Sequence, residues 1–273
     1  MSRTILLAGK NGSECEDFAD GLLLSSRQVA LTGKNTISEG GAKKTQAERK
    51  AEVLAFDEEK TQQAETGVCT FEWNKSSSLS SRSIVLETEN YFGGIDEAVL
   101  YFDEEYFASK SGTIDAEEIS RTADELILGY QYLASEILSR YERKYEDKPR
   151  TLVFLIKECP SLSDAVISPA LKNGKNQIAS PIVAAAASAF TSFAENIAAL
   201  YADENFVNVI LVRGDINNEE SKREEKLAKW LCSYIDSLED EKQRLSAKKS
   251  VQWIKPGAKK SAGFNVGFSL FKK

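Results

Sequence analysis

Gly9 and Gly12 bracket Lys10 and Asn11 in a turn between the apolar run Thr4-Ile5-Leu6-Leu7-Ala8 and an amphipathic stretch that begins near Glu14. Glycines at such a turn do one of two things. They let main-chain N–H groups approach a phosphate at a helix N-terminus, or they shape a tight strand-to-helix turn with no ligand at all. Lys10, and Lys34 at the end of the next apolar run, are the cations that could meet an anion there. Glu14 opposes it, because a carboxylate a few ångströms from an anion costs about 1 to 4 kcal/mol, depending on exposure.

Histidine is absent, which removes every catalytic triad with an imidazole base and every His-ligated metal site. Acid–base work near neutral pH then falls to a perturbed carboxylate, Lys, Cys or Tyr. Cys15, Cys69, Cys159 and Cys232 are far apart, contain no C-x-x-C pair and read as reduced, buried thiols. Asp103-Glu104-Glu105 reads as a solvated acidic loop, with a carboxylate site for a divalent cation or a basic partner as the rival. No metal site is expected.

Alternation of strands and helices supplies the frame for these residues. Cys15, Phe18, Ala19, Leu22 and Leu23 recur on one face of a helix over about 14–26. Strands follow at 28–32 and 68–73, separated by a polar excursion at about 35–67. The Ser-rich run 76–83 leads into a helix ending near Phe92, stopped by Gly93-Gly94. Two continuous apolar runs, 97–102 and 151–156, have the character of central strands of a parallel sheet. Between them the sequence predicts one long helix over about 115–145, capped by Thr113 or Asp115. An Ala-rich helix at 181–202, a strand at 206–212, a helix at about 219–238 and an edge strand at 250–254 complete an α/β, doubly wound parallel sheet in a single domain. That domain spans 1–257, followed by a tail or arm at 258–273 that carries Phe264, Phe268 and Phe271.

Three phrases give this order of elements a family likeness. Gln28-Val29-Ala30-Leu31-Thr32-Gly33-Lys34, Tyr91-Phe92-Gly93-Gly94-Ile95-Asp96 and Asn205-Phe206-Val207-Asn208-Val209-Ile210-Leu211-Val212-Arg213-Gly214 resemble, in order and at fitting intervals, segments of the short-chain dehydrogenase/reductase family, a Rossmann-like fold. The likeness covers nearly the whole chain, about Thr4 to Gly257. It implies NAD or NADP as cofactor if binding is retained, with Gly9, Gly12 and Lys10 at the pyrophosphate and Lys34 at the 2′-phosphate of NADP. The family turn is T-G-x-x-x-G-x-G; here Ala8 replaces the Thr, the loop is one residue short, and the last Gly position falls near Ser13 or Glu14. Where the family has Asn-Asn-Ala-Gly, this chain has Tyr101-Phe102-Asp103-Glu104.

The family's Asn, Ser, Tyr and Lys map onto Leu126, onto Ser161 or Ser163, and onto Ile182 or Val183 with Ala186 or Ala187. Lys172 and Lys175 lie upstream of the last pair. No catalytic residue is therefore assigned, and no cofactor is expected. The expected function is a catalytically inactive dehydrogenase-like scaffold, structural or regulatory component; the alternatives are a divergent NAD(P)-dependent oxidoreductase with a non-standard acid/base, for which Tyr101, Tyr130 and Cys159 are the nearby candidates, and a nucleotide sensor without turnover. The resemblance also implies a homo-oligomer through the helices at 115–145 and 181–202, and leaves room for a protein partner. A net charge of −7 argues against nucleic acid as a general partner. The apolar run after Ser2-Arg3 is too short for a secretory signal and no membrane-spanning stretch is expected, so the chain reads as cytoplasmic.

Overall fold

The computed structural model describes residues 2–33, 67–112, 114–144, 148–168, 177–214, 218–240 and 251–257. Lys34, the excursion up to residue 66, Thr113, Lys172, Lys175 and the tail at 258–273 lie outside the described residues.

One seven-stranded sheet organises the chain, with β1 (Arg3–Ala8), β2 (Arg27–Gly33), β3 (Val68–Glu72), β4 (Glu97–Asp103), β5 (Arg150–Lys157), β6 (Val207–Gly214) and β7 (Trp253–Ile254) in the order β3-β2-β1-β4-β5-β6-β7. Every pairing is parallel. All seven residues of β4 are buried, as a continuous apolar run covered on both faces requires. The strand order reverses between β1 and β4, which places the topological switch point directly above the Gly9 turn.

Helices cover both faces. A 3₁₀ turn (Gly12–Glu14) leads into α1 (Glu16–Leu23), whose Phe18, Ala19 and Leu22 are buried together with Leu227, Leu231 and Ile235 of α8 (Glu224–Asp240) in one apolar layer. The opposite layer holds α2 (Ser78–Phe92), α5 (Gly129–Arg143) and α7 (Pro181–Leu200), the last burying Val183, Ala186, Ala187, Phe190, Ala194 and Ala198. Gly93 ends α2 with a φ of 86°, a left-handed conformation that a Cβ disfavours.

Several expectations need correction. The single helix over 115–145 is interrupted: α4 (Ala116–Thr122) and α5 (Gly129–Arg143) flank a π-helical segment at Ala123–Leu128. Close approach accompanies the interruption, since a Cβ on Gly129 would lie 2.8 Å from the Lys75 carbonyl oxygen. The last helix begins at Glu224, and the edge strand shrinks to Trp253–Ile254. α7 is itself a twenty-residue helix apolar enough, by length and composition, to cross a membrane, although its buried residues pack on the sheet. The sequence reading also missed α3 (Glu104–Lys110) and α6 (Leu162–Ile167).

Asp115 caps α4, its carboxylate accepting from the Glu118 N–H at 2.9 Å. Replacing a carboxylate cap by Ala leaves a first-turn donor to water. Asp115→Ala is accordingly expected to lower unfolding free energy by about 1 kcal/mol in a urea titration, with Asp115→Asn recovering most of it.

Candidate functional site

The carboxyl ends of β1 and β4 meet at the switch point, where an open doubly wound sheet has its binding crevice. Gly9 lies so close to β4 that a Cβ there would fall 2.2 Å from the Tyr101 carbonyl oxygen. Beside it, Gly12 and Gly33 close around the Thr70 side chain: their Cβ atoms would approach Thr70 Cγ2 at 3.1 and 2.8 Å. Gly33 thus leaves no room for a Cβ unless Thr70 moves, whereas the contact at Gly12 is tight but rests on a side-chain methyl that can shift.

Lys10 turns inward. Its ammonium lies 2.9 Å from Asp103, bonds to Glu224 at the start of α8, and sits over the rings of Tyr101 and Tyr106 at 5.2 and 5.6 Å. Burial opposes the charge on Lys10, but Asp103 and Glu224 overcome it and raise its pKa. For Asp103 burial alone would favour protonation; Lys10, Lys157 and the Tyr106 N–H reverse this and hold the carboxyl below its usual range. Lys157 approaches Asp103 at 3.5 Å, and the Tyr101 hydroxyl donates to Asp103 and Glu224, each at 3.2 Å.

This overturns the reading of Asp103-Glu104-Glu105 as a solvated acidic loop. Asp103 is buried at the end of β4 and caps α3, accepting from the Tyr106 N–H at 3.1 Å. Glu104 is buried too and accepts from the Cys159 N–H at 3.0 Å. Burial, with Glu158, Asp164 and Asp103 nearby, raises its pKa. The cause of the error is that an acid followed by two acids is also a helix start, in which the first caps and the others meet the positive end of the dipole.

α3 crosses to the glycine turn. The Tyr106 hydroxyl donates to Glu14, and Lys110 pairs with the same carboxylate at 3.0 Å. From the other side Lys75 donates to the Gly9 carbonyl at 2.5 Å, while its ammonium lies 5.2, 4.9 and 5.6 Å from the ring centres of Trp73, Phe107 and Tyr130. Lys75 had no sequence signal, because nothing in its spacing relates it to Gly9.

The positions mapped for the Asn and for the Tyr–Lys pair are apolar. Leu126 is buried within the π-helical segment, and Val183, Ala186 and Ala187 are buried on α7, with Ile182 half-buried. Phe190 of α7 closes on Phe102 and Tyr130 at ring distances of 5.3 and 5.1 Å. Ser161 caps α6 in a reciprocal pair with Asp164, which accounts for it structurally. Of the acid–base candidates, Tyr101 and Tyr130 are fully buried and burial pushes both phenols up; the Tyr130 hydroxyl donates to the Tyr101 carbonyl at 2.8 Å. Burial, reinforced by Glu104, pushes the Cys159 thiol up to about 12. Among the described residues no group of Cys, Asp and Glu has the arrangement of a metal site.

A crystallised short-chain glucose/ribitol dehydrogenase from Brucella melitensis superimposes with a TM-score of 0.52 over 94% of this chain and 96% of its own length, at 17% identity. The chain has the short-chain dehydrogenase/reductase fold. A short-chain dehydrogenase from Mycobacterium smegmatis matches this fold with a TM-score of 0.57 at 13% identity, covering 95% of this chain and 93% of that one. An NADH-dependent reductase crystallised with NAD matches with 0.57 at 13% identity, over 93% of this chain and 94% of its own. No family model matches the sequence, and no curated protein matches it.

Proposed function

We propose that this chain is a non-catalytic member of the dehydrogenase fold that acts as an oligomeric scaffold or regulatory component. One observation carries the reading: Lys10, the cation of the glycine turn, is neutralised by Asp103 and Glu224 inside the crevice. An incoming pyrophosphate would have to displace two carboxylates from a buried ammonium, and replacing one compensated pair by another yields little net energy. At the rim Glu14 is likewise held within the chain, by Lys110 and the Tyr106 hydroxyl. The apolar residues at the positions mapped for the Asn and for the Tyr–Lys pair support the same reading, since neither a phenol nor a cation stands there.

The assembly surface in this proposal is the outer face of α7 with α4 and α5. Only a third of the apolar stretch of α7 is buried within the chain, and Leu200 of α7, Ile119 of α4 and Leu128 of the π-helical segment between α4 and α5 are exposed. Small residues such as Ala185, Ser188 and Ser192 let a second helix approach closely, and a two-fold pairing would bury this face.

A divergent NAD(P)-dependent oxidoreductase is the second reading, and Glu104 favours it. A buried carboxyl with a raised pKa beside the switch point has the form of a general acid or base. One experiment separates the two: titration with NADH and NADPH, followed by nicotinamide fluorescence and heat, with light scattering on the same sample. Absence of binding up to about 1 mM cofactor, a standard free energy weaker than about −4 kcal/mol, together with a mass of two or more chains, is expected. Micromolar binding overturns the scaffold reading and makes Glu104→Gln the next variant to assay.

A further inference from the structure

Leu162, Val166 and Ile167 of α6 are 47, 70 and 83% exposed. Leu162 and Val166 stand one helical turn apart and Ile167 adjoins them, so half of this six-residue helix is an apolar face turned to solvent. Leu24 and Leu79 are exposed singly, which is ordinary; a contiguous patch calls for something to cover it.

The surroundings of α6 are acidic. Lys157 pairs with Glu105 and Arg213 with Glu158, at 3.5 and 3.4 Å, yet among the described residues the donors to Asp164 and Glu104 are neutral: Ser161 for the first and the Cys159 N–H for the second. Their charge is left uncompensated, and burial together with Glu158, Asp164 and Asp103 raises the Glu104 pKa. A cover for α6 should therefore be both apolar and cationic.

Residues 258–273 have that composition. Phe264, Val266, Phe268 and Leu270 alternate with Asn265, Gly267 and Ser269, and Lys259, Lys260, Lys272 and Lys273 flank them with no acid in the run. Such alternation gives an extended chain one apolar side. Topology brings the start of the run to the same edge as α6: β5, β6 and β7 are parallel, so the described chain leaves β7 at the carboxyl edge of the sheet, where α6 follows β5. Contacts link the two places. The Glu158 N–H donates to the Gly214 carbonyl at 2.9 Å, and beyond β6 the Asn218 side chain donates to the Pro256 carbonyl at 2.7 Å. Two strand spacings, about 10 Å, separate β5 from β7, whereas these sixteen residues reach about 50 Å when extended.

We propose that residues 258–273 lie across α6 of their own chain, with the apolar side on Leu162, Val166 and Ile167 and the lysines toward Glu158 and Asp164. The chain thereby supplies its own strap along the carboxyl edge of the sheet. This contact is independent of the scaffold reading, whose surface lies on α4, α5 and α7.

Amide hydrogen exchange of the full chain tests it. In wild type, amides 264–271 are expected to exchange about ten times more slowly than in a free peptide of the same sequence. Val166→Ser/Ile167→Ser should remove that protection while β4 and β5 keep theirs, and Phe264→Ser/Phe268→Ser should do the same from the other side, with circular dichroism confirming both folds. Exchange in wild type as fast as in the peptide, or protection unchanged in Val166→Ser/Ile167→Ser, overturns the proposal. Protection lost on dilution assigns the segment to a second copy, and protection that appears only with phosphatidylserine vesicles assigns it to a membrane surface; each result overturns the contact within the chain.

Discussion

Asp103→Ala is expected to destabilise the protein by about 3 to 5 kcal/mol, the usual cost of removing one partner from a buried ion pair. The loss has three parts. Lys10 and Lys157 lose a shared carboxylate, the Tyr101 hydroxyl loses an acceptor, and α3 loses its cap, the last worth about 1 kcal/mol alone. Substituting Asn keeps the cap and much of the hydrogen bonding while removing the charge, so Asp103→Asn should fall between wild type and Ala. Urea unfolding of the three proteins decides it. An Ala variant within about 1 kcal/mol of wild type would show that the cluster is only a surface arrangement.

The same cluster predicts a stability profile in pH. Asp103 has its folded pKa depressed, so the unfolded chain takes up a proton first on acidification: the contribution is present above an unfolded value of about 3.9 and is lost as pH falls through the lower folded value. Lys10 has its folded pKa raised. Its contribution is present below about 10.4 and is lost as pH rises through the higher folded value. Between these limits the cluster should add a flat plateau. Asp103→Asn should remove its acid limb and Lys10→Met its alkaline limb, as read from denaturation midpoints across pH.

Much of the fold could be read from the sequence because it depends on local patterns. The apolar runs ending in Phe102 and Ile156 could belong only to strands covered on both faces, and the face carrying Cys15, Phe18, Ala19 and Leu22 is the one that α1 buries. The site was harder to read because its determining contacts are distant in sequence. Lys10 and Glu224 stand 214 positions apart, and no spacing rule joins them. Lys75 and Gly9 are joined by a fold-back that leaves no periodic trace. Asp103 is a different case. Its signal was present as an acid followed by Glu104 and Glu105 at a strand end, where a helix start competes with a solvated loop; the apolar Phe107-Ala108 that follows, buried in α3, favours the helix. The π-helical segment at Ala123–Leu128 had no comparable sign beyond Gly129 itself.

Gly9→Ala tests whether the glycine turn exists for packing or for a ligand. In a turn kept open for a cofactor, a methyl group would point into the crevice and its cost would fall mainly on binding. In this chain the methyl would meet the Tyr101 carbonyl oxygen at 2.2 Å, and that carbonyl is already fixed by the Tyr130 hydroxyl at 2.8 Å. Neither side can yield cheaply, because β1 and β4 are adjacent strands of one sheet with Leu7↔Val99 and Ala8↔Leu100 in register. A loss on the order of 3 kcal/mol is therefore expected from overpacking, with no ligand present. Gly12→Ala is the internal control: its methyl meets the Thr70 methyl at 3.1 Å, a side chain that can shift, so about 1 kcal/mol or less should be lost. Thermal and urea unfolding of the two variants give the ranking. If Gly9→Ala were as stable as wild type, the turn would have to be more open than this contact allows, and a free anion rather than the chain's own carboxylates would become the natural partner of Lys10.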